Sequence, residues 1–155
     1  MDTLFYDTGV TGSASSDWIR SGSPTVITDE EGTIISSNAY STSFANKKGT
    51  STDAFDWVAP FVVEVDIVDY VEWGDIQIYD NSHNCNRTFT HLGITGNNHL
   101  KIVVGGDTVK YYVDGVEKPS LQYNYSIGTC RVSIRTDSTR GGTIKYKNFM
   151  IYPIG

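Results

Sequence analysis

The stretch HLKIVVGGDTVKYYVDGVEK, residues 99–118, alternates apolar and polar side chains around two turn sequences, Gly105-Gly106-Asp107 and Asp114-Gly115. A period of two is what a strand with one buried face requires. Gly and Asp suit the positive backbone φ of tight hairpin turns. The segment therefore reads as a double hairpin in an antiparallel sheet. Gly105-Gly106 leads into a strand and not a helix, so it is a turn and not a phosphate cradle.

The same pattern recurs on both sides. FVVEVDIVDYV (61–71), DIQIYD (75–80), CRVSIRTD (130–137) and TIKYKNFMIYPI (143–154) read as strands, and TVITDEEGTIIS (25–36) as strand, turn, strand around Asp29–Gly32. TLFYDTG (3–9) suits an edge strand. Residues 8–23 are polar enough to be mostly loop, and 38–56 look like a long surface connection of the kind that often carries binding groups. No stretch holds a helical period beyond about a turn. The expectation is an all-β chain of about a dozen strands, packed as two antiparallel sheets around one core, a single domain over 1–155.

Composition narrows the function. The chain has 155 residues, 19% of them charged, and a formal net charge of −6. Nucleic-acid binding rests on clustered Lys and Arg, which are scattered here, so no nucleic-acid partner is expected. No apolar run approaches the roughly 20 residues of a membrane span, so no membrane insertion is expected. The start MDTLFYDTG lacks the basic-then-apolar order of a signal peptide, and a piece of a longer protein is expected. Cys85 and Cys130, the only cysteines, leave one disulfide or two thiols open, with no zinc spacing. The sequons at Asn86 and Asn124 read as chance matches. No nucleophile elbow accompanies His91 or His99, so a hydrolytic triad is unsupported.

The order of these elements resembles the concanavalin A-like lectin and glucanase superfamily. LKIVVGGDTVKYYVDGVEK is similar to its strand ending in YVDG, and LFYDTG and IKYKNFMIYPI resemble its paired terminal strands. The resemblance implies a two-sheet jelly-roll sandwich with a concave face that often holds sugar. Such domains recur in phage tail and receptor-binding proteins, in prokaryotic adhesins and as carbohydrate-binding appendages.

Some glucanases of that superfamily carry Glu-x-Asp-x-x-Glu. By this resemblance Glu64 would be the nucleophile, Asp66 its tuning acid, and Asp69 would stand where the final Glu is expected. That departure counts against catalysis. A retaining pair of carboxyl groups sits about 5–5.5 Å apart, and the methylene missing from Asp withdraws the group by roughly 1.5 Å. Alternation adds a second objection. Val63, Val65 and Ile67 face the core and Glu64 and Asp66 face solvent, which turns Asp69 inward unless a bulge intervenes.

By the same parity Ile76, Ile78, Val132 and Ile134 point inward, and Gln77, Tyr79, Arg131, Ser133 and Arg135 outward. A pyranose presents C–H faces to aromatic rings and hydroxyls to amides and carboxylates. Trp57, Tyr70, Trp73, Tyr79, His83, Asn84 and Arg87 lie in or beside loops flanking the acidic strand. The predicted ligand-binding set is Glu64, Asp66, Trp73, Gln77, Tyr79, His83, Asn84 and Arg131, on the premise that their strands share one sheet. YDNSHNCNR (79–87) is rich in Asp and Asn and could offer oxygens to calcium, but turn chemistry explains it better. No cofactor is required. The reading is a non-catalytic carbohydrate-binding module at a virion or cell surface. A structural or oligomerisation domain, as a homo-oligomer within a larger assembly, comes second and a glucanase third.

Overall fold

The computed structural model describes residues 3–15, 17–37, 40–47, 53–137 and 142–154. Thirteen strands are found among them: β1 Phe5–Asp7, β2 Trp18–Ser21, β3 Thr25–Thr28, β4 Thr33–Ser37, β5 Ser41–Ala45, β6 Phe61–Val71, β7 Gly74–Tyr79, β8 Asn84–Thr88, β9 Asn98–Val104, β10 Val109–Val113, β11 Val116–Glu117, β12 Arg131–Thr136 and β13 Gly142–Pro153. A 3-10 turn is found at Pro119–Leu121. The sheets are antiparallel. One has eight strands in the order β11-β10-β9-β6-β13-β4-β3 with β1 added alongside β13, and the other runs β2-β5-β12-β7-β8. These are the two antiparallel sheets that the alternation predicts, in the jelly-roll sandwich that the resemblance implies.

Parity explains the core. Val63, Val65 and Ile67 of β6, Leu100, Ile102 and Val104 of β9, and Ile76, Ile78, Val132 and Ile134 from the other sheet are buried together. Each such side chain contributes roughly 1.5–3 kcal/mol by leaving water. The turn between β10 and β11 is as expected, with Asp114 at φ 51° and Gly115 at φ 80°. The terminal strands are neighbours, Phe5 opposite Ile151. Asp7 fastens this corner: its buried carboxylate accepts from the Trp18 indole (2.8 Å), the Tyr146 hydroxyl (2.6 Å) and the backbone N–H groups of Gly9 and Ser15.

Three expectations need correction. The stretch 8–23, read as mostly loop, contains β2, and the supposed connection 38–56 contains β5, although residues 16, 38–39 and 48–52 lie outside the described set. Both strands carry polar groups inward. Ser41 bonds Thr136 at 2.7 Å and Arg20 donates to Ser43 at 2.7 Å, so hydrogen bonds take the place of the apolar alternation that marks the other strands. Asp69 does not point inward. Lys145 pairs with Asp69 but Tyr146 with Ile67, so Val68 is the extra residue of a bulge that returns Asp69 to the outer face.

The third correction concerns the shared sheet. β6 belongs to the eight-stranded sheet, whereas β7 and β12 belong to the five-stranded one. The chain changes sheets over two residues, with Glu72 at φ 70°. Gly74 then passes so close to the core that a Cβ there would lie 2.7 Å from Ile144 Cδ1 and 2.9 Å from Phe89 Cε2. The short connection between β6 and β7 is a corner between layers, so the premise that these strands share one sheet does not hold.

Candidate functional site

The outer face of the five-stranded sheet collects Gln77, Tyr79 and Arg131 as alternation predicts. Tyr79 is directly opposite Arg131, Gln77 opposite Ser133 and Asp75 opposite Arg135. This face is recessed: Thr42, Asp75, Gln77, Ser133 and Arg135 point away from the core and are nevertheless buried. A cleft of about 260 Å³ crosses it, lined by Ser21, Tyr40, Thr42, Phe44, Gln77, Tyr79 and Arg131.

Beside the cleft the face is braced by a buried pair that also holds Tyr40. Arg135 donates to both carboxylate oxygens of Asp75, Nε to Oδ1 at 2.8 Å and Nη2 to Oδ2 at 2.5 Å, and its Nη1 donates to the Tyr40 hydroxyl at 3.0 Å. Burial disfavours the Arg135 charge, but Asp75 and Tyr40 outweigh it and raise its pKa above the ordinary value. The rings of Trp73 and Tyr40 stand 5.4 and 5.8 Å from the Arg135 guanidinium. Gln77 is held by its amide, which donates to Asn84 Oδ1 at 2.7 Å and accepts from the Ser133 hydroxyl at 3.3 Å. Trp73, Gln77, Tyr79, Asn84 and Arg131 therefore belong to one side of the molecule.

His83 stands in the turn between β7 and β8, outside the lining of the cleft. Its ring stacks on Tyr125 (4.6 Å between centroids), Tyr125 on Tyr123 (5.5 Å), and the Arg87 guanidinium caps Tyr123 at 4.1 Å. Asp80 shapes this loop, accepting from the Ser82, His83 and Gly128 N–H groups and facing the His83 ring at 3.1 Å. Burial works against its charge, but these bonds hold the carboxyl at about 2. The loop's acid is thus spent on turn chemistry. Among the described residues no group of three His, Cys, Asp or Glu is placed to hold a metal ion. Cys85 and Cys130 are both buried free thiols, and burial pushes each up to about 12.

Glu64 and Asp66 lie on the opposite side of the sandwich, so the predicted set is divided between two faces. Here a residue that the sequence reading left at a strand border becomes central. His99 faces Asp66 across the β6–β9 pair and uses both ring nitrogens, Nδ1 to Asp66 at 2.7 Å and Nε2 to Glu64 at 2.6 Å. The Tyr152 hydroxyl donates to the second oxygen of Glu64, and Asn148 donates to the second oxygen of Asp66 at 2.9 Å. Burial opposes both charges, yet the His99 pKa is raised by Asp66 and Glu64, and the Glu64 pKa is lowered by Tyr152 and His99. All four carboxylate oxygens are engaged by protein groups. A cleft of about 210 Å³ adjoins them, between Asp66, His99, Asn97 and Lys147.

Sequence reasoning missed Tyr40, Phe44 and Phe55 at the first face. They come from the region read as a long surface connection of the kind that often carries binding groups, where the aromatic residues themselves were the available signal. Trp57 and Tyr70, by contrast, serve the interior: Trp57 is buried, with its indole donating to Ala45 O at 3.0 Å, and Tyr70 packs edge-on against Phe89.

No family model matches this chain, and no curated protein sequence matches it. Solved structures do. A Bacillus subtilis protein of unknown function with a galectin-like fold has a TM-score of 0.64 at 11% identity, covering 97% of this chain and 95% of that one. The carbohydrate-binding module CBM66 from Bacillus subtilis has a TM-score of 0.58 at 14% identity, covering 88% and 95%. A sialidase has a TM-score of 0.63 at 13% identity, over 88% of this chain but only 17% of the sialidase. Structures bearing the names β-glucanase and carbohydrate recognition domain are also similar, at 11% and 7% identity. The chain has the concanavalin A-like jelly-roll fold.

Proposed function

We propose that this chain is a non-catalytic carbohydrate-binding module whose site is the recessed outer face of the five-stranded sheet. One observation carries the reading. The rings of Tyr40, Phe44 and Tyr79 border a cleft that also offers Gln77, Thr42 and Arg131. Rings stack on sugar C–H faces and the polar groups meet hydroxyls, which is the division of labour a pyranose needs. The fold is shared with a solved structure named as a carbohydrate-binding module, which supports the same ligand class.

Against catalysis stand the Asp at position 69, where the glucanase pattern has Glu, and the hydrogen bonds from His99, Tyr152 and Asn148 that tie Glu64 and Asp66 into a network of their own. One shallow site binds weakly. Useful avidity would come from several copies in one assembly, which suits a viral tail or an adhesin at a virion or cell surface. A structural or oligomerisation role is the second reading. The edge strand β3 favours it, because Val26 and Ile27 are exposed there.

A glycan array with titration of positives tests the proposal. Tyr79→Ala, which removes a stacking ring, should weaken binding by about 1–3 kcal/mol, while Asp66→Asn on the opposite face should leave it unchanged. The reverse pattern would move the site to the eight-stranded sheet. Binding to no glycan by the folded parent would favour the structural reading. Release of reducing ends from laminarin, lichenan, agarose or xylan would restore the enzyme reading.

A further inference from the structure

Among the described residues, Arg131 is the only charged side chain lining the cleft of the five-stranded sheet. Its guanidinium is held in place on three sides. The Phe55 ring lies 4.3 Å and the Phe44 ring 4.9 Å from its central carbon, and Nε donates to the Asp53 carbonyl at 2.7 Å. Those contacts use the faces of the plane and one N–H. The two terminal nitrogens make no hydrogen bond, and no carboxylate stands within ion-pair distance, among the described residues. The neighbouring Arg135 differs, being neutralised by Asp75.

A positioned guanidinium with its outer N–H groups unspent is matched by a carboxylate, which can take both donors in parallel. Neutral hydroxyls would use the same donors without the charge. We infer that the preferred ligand is a glycan carrying a carboxylate, and that Arg131 is the residue that reads it, with Tyr79 beside it for the ring. This inference rests on the carbohydrate reading of the same cleft.

The rest of the molecule limits how acidic that ligand can be. The chain carries a net charge of −6, which repels polyanions. A single cation can compensate a single carboxylate, so the expected partner is a glycan with one isolated or terminal acidic sugar and not a densely charged polymer. Screening over about 8 Å at physiological ionic strength makes the local pair matter more than the distant net charge.

The experiment is an array of glucuronate-, galacturonate- and sialic acid-terminated glycans, each printed beside its carboxyl methyl ester, with sulfated dextran as a dense polyanion. The wild-type protein should favour at least one acid over its ester by about ten- to a hundred-fold. Arg131→Gln should bring that ratio to near one while keeping residual binding to the ester. The ratio separates charge reading from bracing of the phenylalanine rings, because a loosened site weakens acid and ester alike. Equal binding of acid and ester by the wild type, a ratio unchanged in Arg131→Gln, or a preference for sulfated dextran would each overturn the inference. Binding confined to neutral glycans would do so too while leaving the carbohydrate reading intact. No binding to any glycan would remove both.

Discussion

Asp75→Asn should be among the most damaging single changes in this protein. Asp75 and Arg135 form a two-point pair whose side chains are 1% and 9% exposed, beneath Trp73 and Tyr40. Removing the carboxylate charge leaves the Arg135 guanidinium buried with a neutral amide as its main partner. Breaking one side of such a pair costs about 3–5 kcal/mol, against a total stability of roughly 5–15 kcal/mol. Arg135→Met should cost a similar amount by stranding Asp75. The double change Asp75→Val with Arg135→Met removes both charges and should recover to within about 1 kcal/mol of the parent. Urea unfolding followed by tryptophan fluorescence and circular dichroism measures all of these, with Trp73 as a local reporter. Single changes costing under about 1 kcal/mol, or a double change equal to their sum, would refute the coupling of this buried pair.

Two further outcomes follow from the other face and the core. The His99 clamp should make stability depend on pH. Its histidine pKa is raised, so that contribution is full below the ordinary 6.5 and is lost as pH rises through the folded value; the lowered pKa of Glu64 gives a contribution present above the ordinary 4.5 and lost as pH falls through the folded value. The clamp therefore stabilises most between about pH 4.5 and 6.5. It is worth only about 1 kcal/mol after solvent screening, because the His99 side chain is 40% exposed. Chemical unfolding across pH should show a hump that His99→Gln flattens, and an identical profile in the variant would refute the clamp. Tyr111 has a buried hydroxyl without a partner among the described residues. Tyr111→Phe should leave stability unchanged or raise it by up to about 1 kcal/mol in the same assay, and a clear loss would point to a missing partner.

Alternation along a strand is a property of the local backbone, so the sequence by itself determined which side chains face inward. Val63, Val65 and Ile67 are core residues, and Gln77, Tyr79 and Arg131 are not, for a reason that needs no knowledge of partners. The turns at 105–107 and 114–115 were legible on the same ground, and the order of elements pointed to the sandwich and the pairing of its ends. Only the tertiary structure decided which sheet each strand joins. Pairing is settled by contacts far apart in sequence, and the corner at Glu72–Gly74 looks locally like an ordinary short turn. That corner moved Glu64 and Asp66 to the face opposite Tyr79, and the bulge at Val68 reversed the parity of Asp69. β2 and β5 escaped notice because Arg20 of β2 and Ser41 and Ser43 of β5 satisfy hydrogen bonds across the sheet, and hydropathy does not record such bonds. His99 acquired its role from carboxylates 33 and 35 residues away, brought opposite it by strand register, which no reading of its own neighbours could supply.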